Sequence, residues 1–159
     1  MDSFFVTVTW LGSLAILLPL SALLCAIFFS LQKGTEGVFI MLSLLGTSAI
    51  THLLKILIAR PRPAVENLIV ALPSDFSFPS AHTSQATAVA IALCLVAAGK
   101  VGQPTVFLIW GACITLAGLV GYSRIYLRVH YLTDVIAGAT VGLFCVFVFA
   151  QVFGIPKHP

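Results

Sequence analysis

Charged side chains are scarce in this sequence of 159 residues, because Asp, Glu, Lys and Arg together make up only 8% of it. A soluble domain carries about 25% charged residues. Hydrophobic residues, by contrast, account for 60% of the chain. These proportions exclude a water-soluble globular protein and predict an integral membrane protein, whose length corresponds to a single domain over residues 1–159.

Basic residues are few and unevenly placed. Five of the eight lie in two short segments: Lys55, Arg60, Arg62, Arg124 and Arg128. The net charge of +3 is therefore local and does not form a general basic surface. This distribution argues against a nucleic-acid partner.

Patterns that bind metal ions are also missing from the sequence. The four cysteines stand singly in different apolar runs, with no CxxC or Cys/His spacing: Cys25, Cys94, Cys113 and Cys145. No acidic group of the kind that holds magnesium or calcium accompanies them. The sequence predicts buried, unpaired cysteines, no metal and no other cofactor.

Long apolar runs are what the chain has in abundance. Five can be distinguished: residues 11–31, 38–59, 81–98, 105–122 and 135–155. About 20 helical residues cross a hydrocarbon core of about 30 Å. The sequence therefore predicts an all-α polytopic transmembrane bundle with about five spans, preceded by ten residues that end in Trp10, a candidate interfacial anchor.

The connections between the spans are mostly short. Residues 32–37 and 99–104 are polar breaks. Prolines at 61 and 63 end the second span, because proline lacks a backbone donor and restricts the residue before it. The one long loop covers residues 64–78, and its part 64–72 could form a short interfacial helix.

Ionisable groups interrupt the apolar pattern between the last two spans. Arg124, Arg128, His130 and Asp134 lie where hydrocarbon would begin or end. Such charges are costly unless they face a polar cavity or one another, which makes them a functional-site hypothesis. If a helix runs through His130 and Asp134, their side chains share one face, and the carboxylate can fix the imidazole tautomer. A purely structural pair at a helix start is the alternative.

Connectivity predicts that the unusual polar residues meet. If each run crosses the membrane, the second span ends, the third begins, the fourth ends and the fifth begins on the same side. Segment 55–62 lies at the end of the second span and segment 80–82 at the start of the third. Segment 123–134 joins the end of the fourth span to the start of the fifth. They are therefore expected to converge at one membrane face.

The expected cluster is suited to a phosphoryl group. It contains three cations: Lys55, Arg62 and Arg124. Arginine forms bidentate contacts with phosphate oxygens, and Ser80 is a candidate N-cap whose following backbone amides form an anion site. Two histidines complete the cluster, with His130 as candidate nucleophile and His82 as candidate acid for the leaving group.

These segments resemble the signature of the type 2 phosphatidic acid phosphatase (PAP2) family. That signature is a lysine, six residues and Arg-Pro; then Pro-Ser-Gly-His; then Ser-Arg, five residues, His, three residues and Asp. Here the segments are Lys55 with Arg62-Pro63, Pro79-Ser80-Ala81-His82, and Ser123-Arg124 with His130 and Asp134. Ala81 replaces the common glycine, a departure that affects the local turn. Many membrane members have six spans, so the resemblance also implies that one N-terminal helix is absent.

The resemblance implies a metal-independent lipid phosphatase that acts through a phosphohistidine. His130 would attack phosphorus, Asp134 would orient it, and His82 would protonate the leaving oxygen. The phosphoryl oxygens would be held by Lys55, Arg62, Ser80, Arg124 and the amides near Ala81 and His82.

The expected partners are a lipid phosphate and the bilayer. Phosphatidic acid, phosphatidylglycerol phosphate, polyprenyl phosphates or diphosphates and the phosphates of lipid A all remain open as substrates, as does the oligomeric state. A lipid phosphotransferase would use the same residues. A channel or transporter would also place charge at membrane depth, but these charges gather at one end and no span has a polar middle.

Several polar or aromatic residues receive non-catalytic interpretations. Arg60 and Arg128 are interpreted as interfacial or lipid-headgroup contacts, and His52 as a packed or hydrogen-bonded core histidine. The others are loop anchors or tail: Phe76, Phe78 and His158.

Charge counting gives the expected orientation. Without the three cations assigned to phosphate, two basic residues lie on the side of the site and three on the opposite side. Positive residues favour the cytoplasmic side. The predicted site faces outside or the periplasm, in a bacterial inner membrane.

Overall fold

The computed structural model describes residues 1–64, 68–98 and 100–155. These residues fold into six helices: α1 (Asp2–Trp10), α2 (Leu14–Ser30), α3 (Gly34–Ile58), α4 (Ala81–Ala98), α5 (Gln103–Tyr126) and α6 (Leu132–Val152). No strand is present within those ranges. The predicted all-α fold is confirmed.

Four of the helices, α3 to α6, are long and apolar enough to cross a membrane. The pair α1 and α2, bent by 44° at a short break, forms a fifth candidate span. The 24 residues of α5 extend about 36 Å at 1.5 Å per residue, more than the hydrocarbon thickness. These lengths confirm a membrane bundle with about five spans.

The N-terminal ten residues depart from the sequence prediction, because they form helix α1. This helix packs against α5, where the Tyr126 hydroxyl donates to Asp2 Oδ1 at 2.7 Å. Between α1 and α2, a Cβ at Gly12 would lie 2.8 Å from the carbonyl oxygen of His82. The absence of a side chain at Gly12 thus lets the corner between α1 and α2 reach the start of α4.

Helix α3 begins at Gly34, four residues before the predicted start, and so includes part of the predicted polar break. Glu36 in its first turn pairs with Lys100 at 2.5 Å, so the polar residue is compatible with a helical start. The helix ends before Ala59, which has a left-handed backbone with φ of 49°. The predicted stop before the prolines is confirmed.

Some predictions fall on residues outside the described ranges. The possible helix over 64–72 includes residues 65–67, which are not described, and its described part, 68–72, is not helical. Gly99 in the predicted turn and His158 in the predicted tail also lie outside the described residues.

Helix α4 lies at the centre of the bundle and contacts α2, α3, α5 and α6. Its closest neighbour is α6, which approaches through two glycines four residues apart. A Cβ at Gly138 would lie 2.6 Å from the Ser80 carbonyl oxygen, and one at Gly142 would lie 2.5 Å from that of Ser84. Small residues at this spacing allow membrane helices to approach closely. The contact brings the start of α6 against the start of α4, where the predicted site residues lie.

Candidate active site

The predicted polar segments meet at one end of the bundle, around a cavity of about 480 Å³. Its lining includes Lys55, Arg62, Asp75, His82, Arg124 and His130. These side chains come from the end of α3, the connection to α4, the start of α4, the end of α5 and the turn before α6. The convergence expected from alternating spans is therefore present in the fold.

His130 and Asp134 form a buried pair, but no helix runs through both. Helix α6 begins at Leu132, so His130 lies in the turn before it. Asp134 accepts the N–H of Tyr131 at 2.9 Å, which caps the helix and turns the carboxylate back toward the histidine. Nδ1 of His130 lies 3.3 Å from Asp134 Oδ2. Capping geometry, and not a shared helix face, brings the pair together.

The environment of His130 assigns its tautomer. Arg62 Nη1 lies 3.2 Å from His130 Nε2. A guanidinium can only donate, so Nε2 is the acceptor and the ring proton is on Nδ1, facing Asp134. The nitrogen that carries the lone pair therefore faces the cations, and that lone pair accepts the N–H of Arg62 in this structure.

The charge state of His130 favours the same arrangement. Burial lowers its pKa to about 4, despite the opposing effect of Asp134, and the charges of Arg62, Arg124 and Lys55 contribute to the lowering. The imidazole is therefore neutral at neutral pH. A neutral imidazole can act as a nucleophile, whereas an imidazolium cannot.

Arg60 is a site residue that sequence analysis missed. Its Nη1 donates to Asp134 Oδ1 at 2.8 Å and to Thr133 Oγ1 at 2.7 Å, and its guanidinium lies 4.2 Å from the centre of the Tyr131 ring. The interpretation as a lipid-headgroup contact was wrong. A usable signal was present, because a fully buried carboxylate requires a cation and Arg60 was predicted on the same membrane face.

The segment just before α4 also contributes to the site. The Ser77 hydroxyl donates to Asp134 Oδ2 and lies 3.4 Å from His130 Nδ1. The carbonyl of Phe76 accepts from Lys55 Nζ. Residues 76 and 77 thus act through a backbone carbonyl and a serine hydroxyl, and no motif in the sequence identified either group.

Two of the three cations share one carboxylate. Asp75 Oδ2 lies 3.1 Å from Lys55 Nζ, and Asp75 Oδ1 accepts from Arg62 Nη2. Arg62 also donates through Nε to the Asp75 carbonyl at 2.9 Å and through Nη1 to that of Val129 at 2.8 Å. Asp75 was not identified from the sequence.

The third cation, Arg124, has a neutral partner. Its Nη1 donates to Thr9 Oγ1 of α1 at 2.6 Å. Arg124 is only 5% exposed. Its Nε is buried and has no hydrogen-bond partner among the described residues. A buried guanidinium N–H without an acceptor beside a polar cavity is suited to an anionic ligand.

Helix α4 begins directly after Ser80, at the predicted position. Ser80 immediately precedes the helix, and its carbonyl accepts from Ser84 N–H at 3.0 Å. Its hydroxyl accepts from Thr83 Oγ1 at 2.9 Å, and its own N–H donates to the Asp134 carbonyl at 3.0 Å. The next amides, at Ala81 and His82, belong to the first helical turn, which has no intrahelical acceptors for its N–H groups.

His52 differs from its prediction. Its side chain is exposed, lines the cavity and uses Nδ1 to donate to the Ser48 carbonyl at 2.8 Å. It is hydrogen-bonded, as expected, but it is not a core residue. Since an exposed residue lines it, the cavity opens at the outer surface of α3.

Taken together, these groups can bind and transfer a phosphoryl group. The cavity has three cations, a helix start with free amides, a neutral imidazole and a second histidine, His82. Over residues 1–64, 68–98 and 100–155, no group of three or more His, Cys, Asp or Glu is placed to hold a metal ion.

Comparison with known proteins gives consistent matches. The model of the PAP2 superfamily matches residues 36–155. Phosphatidylglycerophosphatase B of Bacillus subtilis is 36% identical over 143 residues, covering 88% of this chain and 69% of that protein. Undecaprenyl-diphosphatase BcrC of the same organism is 31% identical, covering 94% of this chain and 73% of that protein.

A solved structure supports the same relationship. The transmembrane PAP2-type phosphatidylglycerolphosphate phosphatase from Bacillus subtilis has a TM-score of 0.85 and 31% identity, covering 99% of this chain and 78% of that one. The family model, the relatives and the fold agree with the three sequence motifs and exclude the channel or transporter alternative. The chain belongs to the PAP2 superfamily and is a membrane lipid phosphatase of the PAP2 type.

Proposed function

We propose that this protein hydrolyses a lipid phosphate or diphosphate with His130 as nucleophile. The observation that carries the proposal is the orientation of His130, with Nδ1 toward Asp134 and Nε2 toward the cation-lined cavity. Nε2 forms a bond to phosphorus as the bond from phosphorus to the leaving oxygen breaks. Asp134 holds the ring and stabilises the positive charge that develops on it.

His82 protonates the leaving oxygen. It lines the same cavity as His130 and stands in the first turn of α4. Water then attacks the phosphohistidine, the bond between nitrogen and phosphorus breaks, and His82 takes the proton that the water loses. The products are the dephosphorylated lipid and inorganic phosphate.

The phosphoryl oxygens bind to the groups that lack a strong permanent partner. Arg124 offers its unpartnered Nε, Ser80 offers its hydroxyl, and the amides of Ala81 and His82 offer their N–H groups. Lys55 and Arg62 complete the set of donors. Donors fixed in a buried site stabilise the charge that develops in the transition state, and this role requires no metal ion.

The substrate is an amphiphile whose headgroup enters from the membrane boundary. The support is that the cavity lining includes Leu14 of α2 and the exposed His52 of α3, so the opening lies beside helices that cross the bilayer. Phosphatidylglycerol phosphate and undecaprenyl diphosphate are the first candidates, because relatives carry these activities in their names.

Residues 1–159 act as one integral-membrane unit with the site outside the cytoplasm, in a bacterial inner membrane. The structure adds to the charge argument, since Arg60 is bound to Asp134 and leaves Arg128 as the other basic residue of that face without a site role. Lys33 and Lys100 lie at the opposite end of the bundle. Two basic residues against one favour a cytoplasmic location for that opposite end.

The test is phosphate release by the purified protein in detergent. Each candidate lipid is supplied alone, so inorganic phosphate can arise only by hydrolysis and not by transfer to a second lipid. A short reaction is quenched in alkali, in which phosphohistidine is stable, and the protein is examined for a label from the substrate phosphorus. We expect a label that His130→Ala abolishes and that the matched change His158→Ala leaves intact. No phosphate release from any lipid would refute the proposed function, and a label that persists in His130→Ala would refute the nucleophile.

A further inference from the structure

The connection between α3 and α4 places a carboxylate inside the candidate phosphate site. Asp75 lines the cavity and contacts both Lys55 Nζ and Arg62 Nη2. The two cations are almost fully buried, with exposed fractions of 3% for Lys55 and 7% for Arg62, while the Asp75 side chain is 45% exposed. The carboxylate therefore closes an inward-facing anion site from the solvent side.

Asp75 is ionised in this position. Although partial burial raises its pKa, the hydrogen bonds from Arg62 and Lys55 lower it below the ordinary value of an aspartate. An ionised carboxylate carries one negative charge and two acceptor oxygens. These are also the charge and the number of free oxygens of a phosphodiester headgroup.

The carboxylate can leave the cations without opening the core. Residues 71–76 are exposed and non-helical, whereas Ser77, Pro79 and Ser80 are buried and anchor the chain just after them. Rotation of an exposed side chain is then enough to withdraw the carboxylate from Lys55 and Arg62, which keep their hydrogen bonds to backbone carbonyls. Arg124 shows that a cation of this site does not require a carboxylate, because its partner is the Thr9 hydroxyl.

We infer that Asp75 is a resident competitor for the phosphate site, which raises the affinity a ligand needs to bind, so that phosphodiester lipids of the bilayer stay out while phosphate monoesters and diphosphates still enter. This inference rests on the proposed function. A phosphomonoester has a charge of about −1.5 to −2 and three acceptor oxygens, so it replaces the carboxylate with a gain of charge and of hydrogen bonds. A phosphodiester brings one charge and two free oxygens, so the exchange gives it no such gain.

Selection of this kind has a physical reason in a bilayer. Phosphodiester headgroups surround any cavity that opens at the membrane boundary, and an unoccupied pair of buried cations would attract them. A tethered carboxylate has a high effective concentration at the cations, which a ligand of equal charge does not overcome. The dianionic substrate overcomes it by its additional charge.

The test compares inhibition by a phosphodiester with inhibition by vanadate, which mimics the phosphoryl group. Hydrolysis of one lipid phosphate is measured in mixed micelles with increasing phosphatidylglycerol, for wild type, Asp75→Asn and Asp75→Glu. In Asp75→Asn we expect inhibition by phosphatidylglycerol to strengthen by about tenfold or more, and inhibition by vanadate to strengthen with it, because both anions lose the same competitor. Asp75→Glu restores wild-type inhibition by both, because it retains the carboxylate.

The matched control is Asp2→Asn, which removes the same charge from α1, packed against the end of α5 on the same membrane face, where Asp2 contacts the Tyr126 hydroxyl. Its inhibition by phosphatidylglycerol should equal that of wild type. If Asp75→Asn is not folded, Asp75→Cys in a background without the native cysteines supplies the same comparison. Alkylation with iodoacetate returns a carboxylate and should restore the weak, wild-type inhibition by phosphatidylglycerol, whereas iodoacetamide should not.

The outcomes separate this inference from the proposed function. A wild-type protein that releases no phosphate refutes the function itself. An active wild type whose Asp75→Asn variant binds vanadate more weakly, or is inhibited by phosphatidylglycerol no more strongly than wild type, refutes the inference alone. In that case Asp75 only positions Lys55 and Arg62.

Discussion

Replacing Arg60 by glutamine removes the cation that faces Asp134 on the side opposite His130. Arg60 Nη1 donates to Asp134 Oδ1 at 2.8 Å, and Asp134 is fully buried. In the variant the carboxylate loses this contact with arginine. It keeps its contacts with His130, Ser77 and the Tyr131 amide. A hydrogen bond to a charged group contributes about 1.5–3 kcal/mol. Arg60 is 34% exposed and therefore partly screened by solvent, which reduces the expected effect to about 1–2 kcal/mol. Because Asp134 is then held less firmly against His130, we expect kcat to fall by about 5- to 30-fold.

The same change should alter the pH profile in a defined direction. Arg60 offsets the negative charge of Asp134, so without it the carboxylate stabilises the His130 imidazolium more strongly. The pKa of His130, which is about 4, should rise. In the proposed mechanism His130 attacks in its neutral form, so the acidic limb of kcat/KM should move to higher pH by up to about one unit.

The assay is kcat/KM against pH with a water-soluble short-chain lipid phosphate, for wild type, Arg60→Gln, Arg60→Lys and Arg128→Gln. Arg128→Gln is the matched control, because Arg128 is an exposed arginine on the same membrane face. Arg60→Lys should be intermediate, since it keeps the charge and loses the planar fork. If Arg60→Gln has the kcat and the acidic limb of Arg128→Gln, Arg60 does not act through Asp134.

Four further predictions address the remaining assignments. His130→Ala should abolish turnover and retain vanadate binding, while Asp134→Asn should keep part of the activity; turnover near wild type in His130→Ala would contradict the nucleophile. His82→Ala should reduce turnover of a polyprenyl monophosphate more than that of the matching diphosphate, because an alkoxide leaves poorly without a proton. The two losses should differ by a factor of up to about 10² to 10⁴. Equal losses, with chemistry rate-limiting, would mean that His82 only binds phosphate. Activity should survive EDTA and be blocked by vanadate, and loss in EDTA with recovery on adding magnesium would reject the metal-free mechanism. Ser74→Cys in a cysteine-free background should react with an impermeant thiol reagent on intact cells, and labelling only after lysis would reverse the orientation.

The mechanism and the membrane setting constrain each other. The proposed nucleophile, the proposed acid and the cations lie at one end of the bundle, where α4 and α6 are brought together at Gly138 and Gly142. A site at the end of the spans suits a lipid whose headgroup enters the site while its tails remain in the bilayer.

The sequence alone determined the fold class, the number of spans and most of the candidate site. Uncharged runs of about 20 residues report their membrane environment directly, because the bilayer imposes a length and excludes charge. The cations and histidines were recognisable for the converse reason, since ionisable side chains at a membrane boundary require a function. Alternating spans were then enough to bring the segments around Lys55, Ser80 and His130 to one face.

Only the tertiary structure decided which side chains surround these residues. Arg60, Asp75 and Ser77 stand in a connection where polar residues are ordinary, and Thr9 lies in the ten residues before the first predicted span. Their roles depend on distances to residues that are remote in sequence, such as the 2.6 Å between Thr9 Oγ1 and Arg124 Nη1. A buried charge requires a partner of opposite charge or a hydrogen-bonding group. Which residue supplies it depends on how the helices pack, and the sequence has no repeating pattern that reports this packing.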